Sequence, residues 1–188
     1  MNLLDAHAEG LREFDEAVHR IRPGQWDAPT PCADWTVRDL LNHLVSEQLW
    51  VPHLLGGQTL AEVGDRYDGD VLGQDPVAEW ESSSKAARAA WTEPGATERE
   101  VELSFGRSPA TEYGWQMTLD FAVHAWDLST ALGAGQPITE EIAAELLRVF
   151  RPQIERWQGI GIFAPPVPVP AGSPATVELI ALTGREPG

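Results

Sequence analysis

The sequence predicts an all-α protein: an antiparallel four-helix bundle with a long crossover, a short β-hairpin and an extended, proline-rich C-terminal tail. Three observations predict it. Four stretches carry apolar residues three and four apart, each closed by glycine or proline. One of them, Thr111 to Leu132, is apolar nearly all round, as a helix at the centre of a bundle must be. The run Phe163-Ala164-Pro165-Pro166-Val167-Pro168-Val169-Pro170 admits neither a helix nor a central strand. The 188 residues fit one domain, 1–188, with 162–188 as a tail packed on it.

The first helix runs from Asn2 to Ile21 on Leu3, Leu4, Ala8, Leu11, Phe14, Ala17 and Val18, and Arg22-Pro23-Gly24 ends it. His7 and His19 lie in it as ordinary helix histidines. A loop follows that holds Trp26, Pro29, Pro31, Cys32 and Trp35; its prolines stiffen it and its tryptophans pack it down. Cys32 reads as a small packed residue, since no neighbouring cation in sequence lowers its pKa. Thr36, with Asp39 three residues on, starts the second helix with an approximate capping box. That helix spans Val37 to Leu55, with Pro52 kinking or ending it near His53.

Gln58 to Gln74 is polar and rich in Gly and Asp, either a functional lid or a mobile crossover. Its acids lack the ligand alternation and closing Glu of a calcium loop. Asp75-Pro76 caps and opens the third helix, whose buried side is Trp80, Ala87, Ala90 and Trp91. Glu100 to Phe105 alternates as a short strand, with Gly106 to Pro109 as its turn. After the fourth helix, Gly133 to Pro137 is a stop. Thr139 caps a fifth helix carrying Ile142, Leu146, Leu147, Val149, Phe150, Ile154 and Trp157, with a break at Pro152. Val177 to Leu182 forms a last short helix.

Charge excludes some partners. A net charge of −16 argues against nucleic acid and anionic membrane, both polyanions. No basic segment followed by an apolar run opens the chain, so no signal peptide is expected, and no apolar run is long enough to span a bilayer. A single cysteine excludes an intrachain disulfide and fits a reducing, cytoplasmic setting.

The chemistry concentrates in Asp120-Phe121-Ala122-Val123-His124-Ala125-Trp126-Asp127. Residues four apart on a helix differ by about 40° around the axis, so Asp120 and His124 share a face, and Asp127 rejoins it within about 20°. Two carboxylates and an imidazole on a buried helix are costly unless paired, hydrogen-bonded or bound to a metal. His43, beside the apolar stripe of the second helix, is the expected partner. Two histidines and a carboxylate on facing helices leave open positions for water and substrate, as catalytic zinc and non-haem iron sites do. By spacing alone the alternative stays open: an Asp–His hydrogen bond that merely knits two helices.

Asp27-Ala28-Pro29-Thr30-Pro31-Cys32-Ala33-Asp34-Trp35-Thr36-Val37-Arg38-Asp39-Leu40-Leu41-Asn42-His43-Leu44 resembles a signature of the mycothiol-dependent maleylpyruvate isomerase N-terminal domain group, in the DinB-like (YfiT-like) metalloprotein superfamily. His124-Ala125-Trp126-Asp127-Leu128 is similar to its second signature. The proline-rich tail resembles an actinobacterial subgroup of largely uncharacterised proteins. The resemblance implies a DinB-like bundle whose metal ligands, a His and a Glu-x-x-x-His pair, fall on His43, Asp120 and His124. Asp120 replaces the usual Glu, one methylene shorter.

In the isomerase a metal-activated low-molecular-weight thiol adds to a cis-dienoic acid and permits bond rotation. That enzyme carries a substantial C-terminal domain, so maleylpyruvate is not the expected substrate here. The expectation is a divalent metal, zinc, that activates a low-molecular-weight thiol or water toward a small-molecule substrate, in a monomer or homodimer. Asp127 is the candidate for orienting a ligand, and Glu47, one turn after His43, for fourth ligand or general base. The alternative is a non-catalytic bundle that binds a metal or small molecule.

Overall fold

The structure, a computed structural model, describes residues 1–157 and 163–187, with side chains over 1–154 and 163–187. The side chain of Trp157, assigned above to the fifth helix's apolar face, and residue 162, the first of the tail, lie outside the described residues.

The described residues form, in order, α1 (Leu3–Val18), α2 (Val37–Leu55), α3 (Leu60–Val63), α4 (Pro76–Trp91), a 3-10 turn (Ala96–Glu98), β1 (Glu100–Leu103), β2 (Gly106–Pro109), α5 (Ala110–Ala131), α6 (Glu140–Trp157) and α7 (Ala175–Leu182). The fold is the expected helical bundle. α1 packs along α5 and α2 along α4, and these four helices enclose the core, while α6 and α7 pack on each other and α6 covers α5 and α1.

Local chemistry sets the starts. Asn2 caps α1 through Asp5 N–H, and Asp75 caps α4 with Pro76 at its first position. Thr36 and Asp39 form a full capping box on α2. α1 stops at Val18, three residues earlier than the spacing predicts. Arg22 precedes Pro23, which disfavours helix there, and the chain closes through tight turns at Arg20 and Ile21 instead.

The break expected at Pro152 is corrected, while α2 keeps the span expected for it. α2 continues through Pro52 to Leu55: the proline lies in the last turn, and Gly56 N–H still closes on its carbonyl at 2.9 Å. α6 likewise runs through Pro152. A proline one turn from a helix end removes a single hydrogen bond that packing can offset.

Two connections also differ from expectation. Gly106 to Pro109 is the second strand of the hairpin rather than its turn; Leu103 pairs with Gly106, and Ser104-Phe105 makes the two-residue loop. Gly106 adopts φ +120°, open to glycine and not to a side chain. The crossover carries helical structure that its composition did not suggest. It contains α3, capped by Thr59 and Glu62, and Asn42 of α2 stitches it down by donating to Gly69 O and accepting from Val71 N–H, both at 2.9 Å.

The centre of the bundle is α5. Its buried face includes Phe121, Ala122, Ala125 and Leu128, all 0% exposed. Gly10 lets α1 approach it: a Cβ there would lie 3.3 Å from the Phe121 Cβ. α7 is held to α6 by Glu140, whose carboxylate accepts the N–H groups of Ala175 and Thr176, and by the Arg151–Glu178 ion pair at 2.6 Å. The tail runs extended over Phe163–Pro170 and joins α7 through Val167 N–H to Ala181 O at 2.9 Å.

Candidate metal centre

α5 places Asp120 and His124 one turn apart, and α2 presents His43 across from them. Asp120 lies between the two rings: Oδ2 is 3.0 Å from His43 Nε2 and Oδ1 is 3.3 Å from His124 Nε2. One donor atom from each of the three lies within 4.8 Å of the others. Asp120 and His124, which the helical spacing puts on one face, therefore do meet the expected partner His43.

The second ring nitrogen of His124 is engaged as well. Nδ1 is 3.0 Å from Asp127 Oδ2, one turn further along α5. Asp127 is 0% exposed and is met from the other side by Arg185, which follows α7; Nε donates to Oδ1 at 2.8 Å and Nη2 to Oδ2 at 2.7 Å. The indole of Trp35 covers the rings, stacked on His124 at 5.7 Å and 25° and tilted against His43 at 4.9 Å. The Pro29–Thr36 bridge and two bonds from Thr30 to Trp35 O fix that indole at the mouth of α2.

Charge balance follows. Burial works against a proton on His124, but Asp120 and then Asp127 outweigh it and raise the ring to about 9. His43 shows the same contest and is also raised, with Asp120 prevailing over burial. Burial alone would lift Asp120, yet the two imidazoles hold it well below the carboxylate range. Burial likewise opposes charge on Asp127, and the Arg185 guanidinium then His124 lower it. Glu47 is pushed up, by burial first and then by the Asp120 charge. The cluster holds positive charge around one half-buried carboxylate, which protons supply when no other cation does.

A cavity of about 890 Å³ opens onto this cluster. His43, Glu47, Asp120, His124, Cys32 and Arg185 stand in its wall, with Phe105, Met117, Leu119, Val123 and Phe163 as apolar surface. Such a volume with a few convergent polar groups is of the kind that takes small molecules.

Two donor sets occur among the described residues: His43, Asp120 and His124, and Cys32, His124 and Asp127. The first offers two imidazole nitrogens and a carboxylate oxygen, the donor types of divalent zinc. In the second, both carboxylate oxygens of Asp127 already accept from Arg185. Glu47 shares the cavity wall but does not converge with either set. His7 is buried against Trp91 and Phe121, and His19 pairs with Glu81 at the surface, both away from the cluster.

Sequence reasoning missed Arg185, the stacking of Trp35 and the closeness of Cys32.

Residues 7–129 match the family described as mycothiol maleylpyruvate isomerase N-terminal domain. Two uncharacterized proteins of Mycobacterium tuberculosis, from strains CDC 1551 and H37Rv, are each 29% identical over 187 residues, covering 98% of both chains. Among solved structures the fold is similar to mycothiol-dependent maleylpyruvate isomerase. The TM-score is 0.62 at 18% identity, and 0.65 at 20% for a histidine-to-alanine mutant. Each alignment covers 86% of this chain and 73% of the other. At that identity the likeness speaks for the fold. The family match spans His43, Asp120, His124 and Asp127 and stops short of Arg185, and on it this chain belongs to the mycothiol maleylpyruvate isomerase N-terminal domain family.

Proposed function

We propose that the protein is a divalent-metal enzyme that activates a low-molecular-weight thiol, or water, for attack on a small-molecule substrate in the cavity. The observation that carries this reading is the convergence of His43, Asp120 and His124 on the cavity wall. Zinc is the ion the donor set suits best. When bound it supplies Lewis acidity that favours the deprotonated form of an incoming thiol or water.

The chain's own residues do the rest. His43 and His124 act as neutral ligands through Nε2, and Asp120 as the anionic one. Asp127 accepts the Nδ1 proton of His124, so the Nε2 lone pair of the neutral ring turns toward Asp120 and the cavity. Glu47, on the same wall with its proton affinity raised, takes up the proton that the nucleophile gives away. Trp35 covers the rings and limits water at them. The apolar walls hold the body of the substrate. The mycothiol dependence of the structural neighbours supports a thiol over water as the nucleophile and an isomerase- or transferase-like reaction.

The test is to load the protein with cobalt and titrate a small thiol across pH. A sulfur-to-metal charge-transfer band that appears in the wild type and is lost in His124→Ala supports thiol activation. Cobalt bound in the intact site with no thiol perturbing its spectrum at any pH leaves water activation or a non-catalytic site.

A further inference from the structure

The C-terminal segment works in the metal centre. We infer that Arg185 is a positioning residue: through Asp127 it fixes which nitrogen of His124 faces the cavity and how firmly that ring is held. The inference rests on the reading of His43, Asp120 and His124 as a metal site.

The geometry is a relay of three side chains with little freedom. Arg185 meets both oxygens of Asp127 at 2.8 and 2.7 Å, the paired geometry that only a planar guanidinium makes. Its third nitrogen, Nη1, donates to Thr183 O at 3.0 Å, which pins the fork to the end of α7. Asp127 is wholly buried, and the side chain of Arg185 is 11% exposed. Removing the guanidinium takes away the two bonds that fix the plane of the Asp127 carboxylate, and with them the orientation of the oxygen that meets His124 Nδ1. A ring held loosely at Nδ1 presents Nε2 less firmly to the cavity, and an imidazole ligand must be correctly oriented.

The placement along the chain adds a second point. Arg185 lies beyond residues 7–129, the stretch matched to the family, and follows α7, which Glu140 clamps on α6 by accepting from Ala175 N–H, Thr176 N–H and the Thr176 hydroxyl. The segment after the bundle thus supplies the group that completes the support of His124.

A merely structural tail makes a different prediction, and the experiment separates the two. The full-length protein is prepared as wild type, Arg185→Met, Arg185→Lys, Asp127→Asn, the Arg185→Met/Asp127→Asn double variant and Glu178→Gln. Glu178→Gln removes the part-exposed Arg151 ion pair and leaves the Glu140 clamp and the relay in place. Two quantities are read: the His124 tautomer by nitrogen-15 NMR of the metal-free protein, and cobalt affinity by the d–d bands. The relay predicts that wild type carries the His124 proton on Nδ1 at alkaline pH, and that Arg185→Met shifts it and weakens cobalt roughly 10- to 100-fold. Arg185→Lys, which keeps charge but loses the fork, should fall between. The double variant should bind no worse than the weaker single, and Glu178→Gln should match wild type.

An Arg185→Met protein with unchanged tautomer and cobalt affinity overturns the inference, as does Glu178→Gln reproducing its losses. Absence of cobalt binding by wild type defeats the metal reading instead, and the tautomer shift in the metal-free protein still decides the relay.

Discussion

His43 and Asp120, seventy-seven residues apart, meet at 3.0 Å between α2 and α5. The contact is a side-chain bridge across the bundle and places one carboxylate between two imidazoles. Everything proposed for the protein depends on that carboxylate being anionic and shared.

Asp120→Asn keeps the size and removes the charge. Zinc affinity should drop by more than the roughly 10- to 100-fold that loss of an outer-shell partner costs. Isothermal titration against a competing chelator measures it. Near-equal affinity would mean that Asp120 does not ligate.

The position of His43 depends on where α2 begins. Thr36 Oγ1 accepts Asp39 N–H at 3.2 Å while Asp39 returns a bond to Thr36 N–H at 2.9 Å. Thr36→Ala should cost about 1 kcal/mol of stability. Urea denaturation checks it, and an unchanged midpoint would remove the capping box from the account.

Glu13 sets a pH dependence away from the His43–Asp120–His124 cluster. It is 1% exposed; Oε1 accepts Thr139 N–H at 2.9 Å and Oε2 is buried with no hydrogen-bond partner. Burial, countered in part by Thr139, pushes its carboxyl up from 4.5 to about 7. Between those values the folded chain holds a proton that the unfolded chain has released. Stability contributed by this site therefore falls as pH rises through that window, by about 3 kcal/mol if the full shift is expressed. Glu13→Gln should flatten that part of the curve and be more stable than wild type at pH 8. Parallel denaturation curves for the two proteins across pH 5 to 8 would contradict it.

Much of this was legible in the chain and some was not, for physical reasons. Periodicity gave the helices, and the caps at Thr36 and Asp75 are local motifs whose partners lie three residues away. Asp120 and His124 were found because helical geometry alone puts them on one face. His43 followed from the cost of burying them. The break read at Pro152 was too strict, since the helix propensity of a residue near a helix end yields to packing along the whole helix. The role of Ser104-Phe105 as the hairpin turn was hidden because the pair lacks the Asn-Gly, Asp-Gly or leading-Gly signal of two-residue loops, and Gly106 next to it carries the unusual backbone angle. Arg185 was beyond reach by pattern. Its partner is 58 residues back, and only three-dimensional packing of α7 on α6 brings them together.

The most direct test of the central claim is metal content and coordination in protein purified without a histidine tag. The account predicts one divalent ion per chain after equilibration with zinc. Its absorption fine structure should show two imidazole nitrogens and a carboxylate oxygen at about 2.0–2.2 Å, with an open position filled by solvent. His43→Ala should lose the ion while keeping the helical circular dichroism of the wild type. A wild-type chain that stays metal-free under excess zinc, or one whose zinc survives unchanged in His43→Ala, would contradict it.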